Sequence, residues 1–453
     1  MVQTIRNAWK IPELRKKLIF TAFALMIFRL GSAVPVPFIN SEVLGDYLTN
    51  LSGTIFEMMN AMSGNAFAMG TVFALGVQPY INSSIIIQLL TIAIPALERL
   101  QKEGGEEGKR KITLITRIAT VAIGVLQGSG YFLMLNANNI LALGGVPTGV
   151  AGLVIIVTFT AGSALVMWIG EQITEFGIGN GISMILFAGI LSRVPAMVQT
   201  LWSYTGQWFN PVTEAEMISA SWTQDQMDAY FTLNPIWTIV IVVGIVALIA
   251  LVVFISNAER RIPVQYAKRV VGRKMYGGQS TNIPIKVNMS GVLPVIFAQA
   301  IASLPLTINS FMKKPEVGSF REGFMEAFHS TGLVYAVLLA LLIVGFSYFY
   351  STVQFNPIEV SNNLKKNGGF VPGFRPGRPT ADFIAKVLSK ITMFGAIYLA
   401  ILALIPIILS NLIGMSTLSI GGTSVIIVVG VALETTKALE AQMLMRHYKG
   451  FLE

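Results

Sequence analysis

The chain has 453 residues, of which 53% are hydrophobic and 12% charged, with a formal net charge of +9. So high an apolar share excludes an ordinary soluble domain and assigns the chain to the polytopic membrane class. Cysteine is absent, which excludes a disulfide framework and a thiolate metal site.

Roughly 20 apolar residues at about 1.5 Å each cross the ~30 Å hydrocarbon layer of a bilayer. On that measure ten spans are predicted, near 18–38, 74–96, 112–135, 148–170, 179–200, 236–256, 289–312, 332–352, 386–412 and 420–440. The arm before the first span holds Arg6, Lys10, Arg15, Lys16 and Lys17 against one acid. Gly31, Ser32 and Ala33 offer small residues for signal cleavage, but the apolar segment exceeds a usual signal core, Arg29 interrupts it, and nine spans follow. It is therefore read as a retained span.

Residues 64–91, GNAFAMGTVFALGVQPYINSSIIIQLLT, read as a damaged half-span followed by a whole one flecked with polar groups. The tract EGGEEGKRK (103–111) invites comparison with a phosphate-binding loop. Glu103 stands where the first glycine belongs, Arg110 replaces the required Ser or Thr, and no strand precedes it. It is read as a solvated turn, so any energy source is a partner. The sixth span, IWTIVIVVGIVALIALVVFIS, reads as a plain lipid-facing anchor.

Charge asymmetry predicts orientation. The 257–287 segment carries Arg260, Arg261, Lys268, Arg269, Arg273, Lys274 and Lys286 against Glu259 alone, and 353–390 carries Lys365, Lys366, Arg375, Arg378, Lys386 and Lys390. Like the basic arm, both are expected in the cytoplasm. The loop at 201–234 has Glu214, Glu216, Asp225 and Asp228 and no Lys or Arg, so it is expected outside. If 57–72 also crossed, seven crossings would separate the arm from the 257–287 loop and place them on opposite sides. Six place both inside, so the damaged half is read as re-entrant from the outer face. Broken backbone at membrane depth survives only where protein buries it or water wets it, which calls for a cavity there. Five spans lie on each side of the acidic loop. An odd number inverts the second set relative to the first, and inverted repeats commonly enclose a central pathway.

An ion-coupled transporter would place a carboxylate or histidine near mid-membrane. Glu98, Glu171, Glu175, Glu259 and Glu434 instead lie at or towards the cytoplasmic ends of spans, and no Asp falls within one. Arg29 and Arg117 are the charged exceptions, read as snorkelling or as neutralising a neighbour. His329 and His447 fall on opposite sides, so no shared metal or catalytic site is expected. No cofactor is expected. A solute or ion transporter remains the alternative from a different class.

Five fragments resemble one family in order and topology: FALGVQPYINSSIIIQLL (73–90), EFGIGNGISMILFAGI (175–190), RRIPVQYAKRVVGRKMYGGQSTNIPIKVNMSGVLPVIFA (260–298), FNPIEVSNNLKKNGGFVPGFRPGRPT (355–380) and GGTSVIIVVGVALETTKALEAQMLMRHYKGF (421–451). Together they resemble the bacterial SecY family, central subunits of a protein-translocation channel. The resemblance implies an all-α polytopic membrane protein with ten transmembrane helices in two inverted five-helix halves, 1–200 and 236–453, joined by an external hinge loop at 201–235. It implies a non-enzymatic channel that conducts unfolded polypeptides and releases apolar segments sideways into lipid. The broken half-span becomes a plug helix over Ser63, Gly64, Asn65, Ala66, Phe67, Ala68, Met69, Gly70 and Thr71. Carried over position by position, the apolar pore ring is Val77, Ile81, Leu186, Ile296 and Ile427; many relatives have Ile where Val77 and Leu186 stand. A lateral gate would use Asn82, Ser83, Ser84 and Gln88 on the second span and Gln299 and Ser303 on the seventh. The basic loops (257–287 and 353–385), with Arg260, Arg261, Lys268, Arg269, Arg273, Lys274, Lys365, Lys366, Arg375 and Arg378, would dock the ribosome with its RNA and the SecA motor ATPase. Further implied partners are the small membrane subunits SecE and SecG, signal sequences and nascent polypeptides, and lipid. The implied location is the bacterial plasma (inner) membrane, both termini cytoplasmic.

Overall fold

Prolines and asparagines mark where the long helices begin. Pro12, Pro79, Pro95, Pro235 and Pro357 occupy first-turn positions, where a missing N–H costs nothing, while the side chains of Asn180, Asn234 and Asn356 accept from the first free amides. The computed structural model describes residues 2–49, 59–60, 62–209, 234–266, 269–271, 274–276, 280–289, 291–302, 305, 323, 332–413 and 422–449. The chain is mainly helical, and each predicted span carries a helix. In order, α1 (Val2–Trp9), α2 (Pro12–Gly31) and α3 (Ser41–Thr49) precede α4 (Gln78–Ala93), α5 (Pro95–Lys102), α6 (Gly105–Ala137), α7 (Thr148–Phe176), α8 (Gly181–Leu191) and α9 (Val194–Phe209). Then come α10 (Pro235–Asn257), α11 (Leu293–Ala302), α12 (Leu333–Gln354), α13 (Pro357–Lys366), α14 (Arg378–Ile413) and α15 (Gly422–Lys449). Among the described residues six helices are long and apolar enough to cross a membrane, counting α8 and α9 together; α4 and α5, bent by 105° at Ile94–Pro95, make a seventh candidate.

Three boundaries differ from the sequence reading. The helix of the first span, α2, ends at Gly31; Ser32–Val34 close it with turns, Pro35 and Pro37 cannot continue it, and Pro35 pairs with Thr71. The second span is helical only from Gln78; residues 64–70 are consecutive turns rather than helix, with Gly64 and Asn65 both at positive φ (67° and 76°). Of the expected solvated turn at 103–111, only Glu103 and Gly104 are turn and bend; from Gly105 the tract is the start of α6. Glu106–Lys109 and Glu107–Lys111 pair along its exposed face, and acids suit a helix N-terminus.

Helix contacts sort along the chain. α4 packs on α6 and α6 on α7, while α11 packs on α12 and α12 on α14; the two sets meet where α4 touches α11 and α8 touches α15. α10 buries Val252 alone, so its aliphatic surface is left outward, as an anchor in lipid requires.

The two basic segments join in one small body that helical periodicity did not foretell. β1 (Glu259–Tyr266) pairs antiparallel with both β4 (Ser280–Lys286) and β5 (Gly369–Phe370), while β2 (Arg269–Val271) and β3 (Lys274–Tyr276) form a separate hairpin. Along β1 the inward positions alternate: Ile262 and Val264 are buried, Arg261, Pro263 and Gln265 exposed. The buried face packs with Ile285, Leu364, Val371, Ile384 and Leu388, which places β1, β4, α13 and the start of α14 around one core.

Candidate functional site

The five ring positions all lie in the buried apolar interior. Val77, Ile81, Leu186, Ile296 and Ile427 belong to one cluster of buried aliphatic side chains, none more than 7% exposed. Val77 caps α4 and the Ile81 amide donates to its carbonyl at 3.0 Å, which sets the two side chains one turn apart on one face. Leu186 comes from α8, Ile296 from α11 and Ile427 from α15. On the side nearer the basic body, Leu186 and Ile296 line a cavity of about 170 Å³ whose wall also includes Asn180, Ser183, Gln354 and Glu434. Two members of the apolar cluster thus border a partly polar cavity. An apolar barrier excludes ions by dewetting while making non-directional contacts that a passing chain can replace.

The 62–72 segment lies against the same cluster. Met62, one residue before the predicted plug, is partly buried against it and accepts from Gln78 Nε2 at 3.9 Å. Sequence reasoning passed over it because a lone Met between Ala61 and Ser63 looks like any apolar position. Phe67 is fully buried edge-on to Tyr131, which stacks edge-on to Phe159, and Tyr131 O–H donates to the Phe67 carbonyl at 2.7 Å. The Val36 amide donates to Gly70 O and the Val72 amide to Val34 O. Gly189 on α8 admits the segment: a Cβ there would stand 2.6 Å from the Met62 carbonyl.

The predicted gate residues divide. Gln88 accepts from the Tyr350 hydroxyl of α12 at 2.7 Å, a polar contact between the two helix sets. Ser83 is wholly buried and shares a 2.6 Å hydrogen bond with Thr120 of α6, so its hydroxyl is spent within the first set, away from α11. Asn82, Ser84 and Gln299 are partly buried; Ser303 lies outside the described residues. Arg117 is neutralised by Glu171 through two contacts, of 2.8 and 3.0 Å.

On the basic body, Arg260 and Arg261 project from β1, Arg261 pairing with Glu259 at 2.7 Å, and Lys365 and Lys366 are exposed in the last turn of α13. Arg375 is exposed on a braced loop and Arg378 is exposed at the start of α14: Phe374 stacks on Phe383 with centroids 4.1 Å apart, Ser361 Oγ donates to Gly377 O, and Thr380 Oγ1 donates to Arg375 O. The backbones of Arg269 and Lys274 lie in β2 and β3; Lys268 and Arg273 fall outside the described residues, as do the acids of the 201–234 loop and His329.

A family profile described as SecY matches residues 71–436. The chain is 41% identical over 466 residues to the protein translocase subunit SecY of Streptomyces scabiei, covering all of both chains. It is 38% identical over 457 residues to that of Thermus thermophilus, covering all of this chain and 98% of the relative. Among solved structures, that of a protein-conducting channel is similar with a TM-score of 0.61 at 18% identity over 97% of each chain. So is a SecY structure whose plug domain is described as stabilising the closed translocation channel and maintaining a membrane seal, with the same score, identity and coverage. Sec61 from a canine ribosome-channel complex is similar with a TM-score of 0.58 at 17% identity over 97% of each chain. These structural likenesses bear on the fold, whereas the full-length identities bear on descent: the chain belongs to the SecY family.

Proposed function

We propose that this protein is a passive polypeptide-conducting channel that passes unfolded secretory chains through a central pore and releases apolar segments sideways into lipid. The observation that supports the reading is that five aliphatic side chains from four helices are buried in one apolar cluster, two of them, Leu186 and Ile296, also lining a partly polar cavity, and that Met62 packs against that cluster. The seal residues Val77, Ile81, Leu186, Ile296 and Ile427 form the ring, Ser63–Thr71 the plug, and the α4–α11 seam, with Gln88 bonded to Tyr350, the gate. The chain supplies no chemistry of its own; work comes from partners. The exposed cations of the basic body suit phosphate and acidic protein surfaces, which fits a ribosome and a motor ATPase of the SecA type. Small membrane subunits of the SecE and SecG type would lie along the outward helix faces. The halves 1–200 and 236–453 take inverted orientations in a bacterial plasma membrane, with both termini and the basic body cytoplasmic. A solute transporter has no observation in its favour beyond the span count.

Vesicles containing the purified complex, a motor ATPase and a signal-bearing preprotein should protect that preprotein from external protease only when ATP is present. Stimulated uptake of small solutes without any nascent chain would overturn the assignment. Because the chain has no native cysteine, single cysteines report topology cleanly. Replacements at Lys274 and Lys365 should react with an impermeant thiol reagent from the cytoplasmic face alone, and one at Asp225 from the other face alone. Reaction of the Lys274 and Asp225 replacements from one side would break the inverted scheme.

A further inference from the structure

A guanidinium stands at the wrong end of the first span. The cations that orient α2 are Arg15, Lys16 and Lys17 in its first turns; Arg29 lies in the last turn, at the opposite end. A helix C-terminus favours a cation, but that accounts for the charge and not for where it points. Arg29 Nη1 donates to the carbonyl of Gly64 at 3.2 Å and to Ser192 Oγ at 3.0 Å, and Ser192 Oγ in turn donates to Gly189 O at 2.7 Å. One guanidinium thus joins the end of α2, the turn at 62–65 and the end of α8. The junction is close-packed: Gly64 sits at φ 67°, and a Cβ there would stand 2.7 Å from Arg29 Nη1 and 2.8 Å from Ser192 Oγ.

The segment is held differently along its length. From Phe67 to Val72 it is anchored to α6 and to residues 34–36 by Tyr131, Val36 and Val34. Its leading turn, which carries Met62 against the apolar seal, is instead tied across to α8 at Arg29. α8 also carries Leu186, and Ser192 caps the same helix. A polypeptide that displaces Leu186 must therefore move the helix whose end supplies one of the two acceptors of Arg29.

We infer that Arg29 is a latch that keeps the Met62–Asn65 turn seated on the closed ring, and that outward movement of α8 both widens the ring and unfastens the latch, with Ala66–Phe67 as the pivot that stays behind. The inference rests on the reading of Ser63–Thr71 as the plug. It makes Arg29 a positioning residue for gating that touches neither substrate nor ring.

The test measures resting conductance in planar bilayers for Arg29→Gln, Arg29→Lys, Ser192→Ala, deletion of 63–71, and the deletion combined with Arg29→Gln, each in protein shown to be assembled and monodisperse. Loss of a charge-assisted hydrogen bond at a partly exposed site should raise the resting open fraction roughly tenfold in Arg29→Gln. Arg29→Lys should leak less, because an ammonium can keep one acceptor. Ser192→Ala should also leak less, because the bond to Gly64 survives. The deletion should leak by itself, and Arg29→Gln should add nothing to it. As a second readout, Met62→Cys should be labelled by an impermeant maleimide roughly tenfold faster when Arg29→Gln is added. A tight Arg29→Gln beside a leaking deletion overturns the latch and leaves the plug standing, whereas a tight deletion overturns the plug itself. If Arg29→Gln increases the leak equally with and without residues 63–71, Arg29 acts on some other element and the latch is again overturned.

Discussion

Replacing Ile427 with Asn leaves the resting channel permeable to ions and lets it accept preproteins with defective signal sequences. Ile427 is 2% exposed within the apolar cluster, so an amide there has no polar partner in the closed state. An unpartnered buried amide costs about 1–3 kcal/mol, while in a hydrated open pore the same group meets water at no cost. The whole penalty falls on the closed state, and 1–3 kcal/mol corresponds to roughly a 5- to 150-fold shift towards opening. A signal sequence normally offsets the opening cost by binding, so weaker signals suffice once that cost is smaller. Ile427→Leu keeps volume and apolarity and should conduct like the parent. Single-channel recording decides the matter: a silent Asn variant in folded protein would mean that these side chains line no pore.

Reversing charge at Arg375 has an equally large but separate effect, abolishing most motor-driven secretion while leaving the resting seal intact. The side chain is exposed, and the loop beneath it is held by contacts that the substitution does not touch: Phe374 on Phe383, Thr380 Oγ1 on the Arg375 carbonyl, and Ser361 Oγ on the Gly377 carbonyl. The change therefore acts on the partner and not on the fold. A like-charge contact across an interface disfavours binding strongly, so the affinity for the motor ATPase and the secretion rate should both drop at least roughly tenfold, with conductance and yield unchanged. Normal secretion by Arg375→Glu would remove this residue from the docking surface.

What sequence could and could not disclose follows from the range of the forces involved. α10 and α12 were expected at 236–256 and 332–352 and lie at Pro235–Asn257 and Leu333–Gln354, because a long apolar run ended by polar groups has one low-energy form in lipid. The first span's helix was overextended because hydropathy reports depth and not conformation: 32–38 is apolar yet runs as turns about the isolated bridge between Pro35 and Thr71. The small sheet was missed because Arg260, Arg261 and Lys286 drew attention to charge, although Ile262 and Val264 already alternate with polar neighbours. The ring positions were reached through resemblance alone, since an isoleucine facing a seal and one facing lipid look identical in a string of letters. The meeting of Arg29 with Gly64 and Ser192 had no local signal, being set by helix packing between residues 35 and 163 positions apart.

The fused basic body also has a mechanical consequence. Its core ties β1 and β4 to α13 and to Ile384 and Leu388 on α14, so a push delivered to that core is shared by both helices. Two attachments carry it inward. The Val287 amide bonds to Ala258 O at the root of the hairpin, and Gly395 lets the Val287 carbonyl approach α14 so closely that a Cβ would stand 2.5 Å from it. Val287 lies six residues before α11, the helix bearing Ile296, and α14 is joined to α12 by the 2.7 Å bond between Ser351 and Thr392. A force applied to this body therefore reaches both α14 and the residues leading into α11, the helix that bears Ile296, without any contact at the apolar cluster itself.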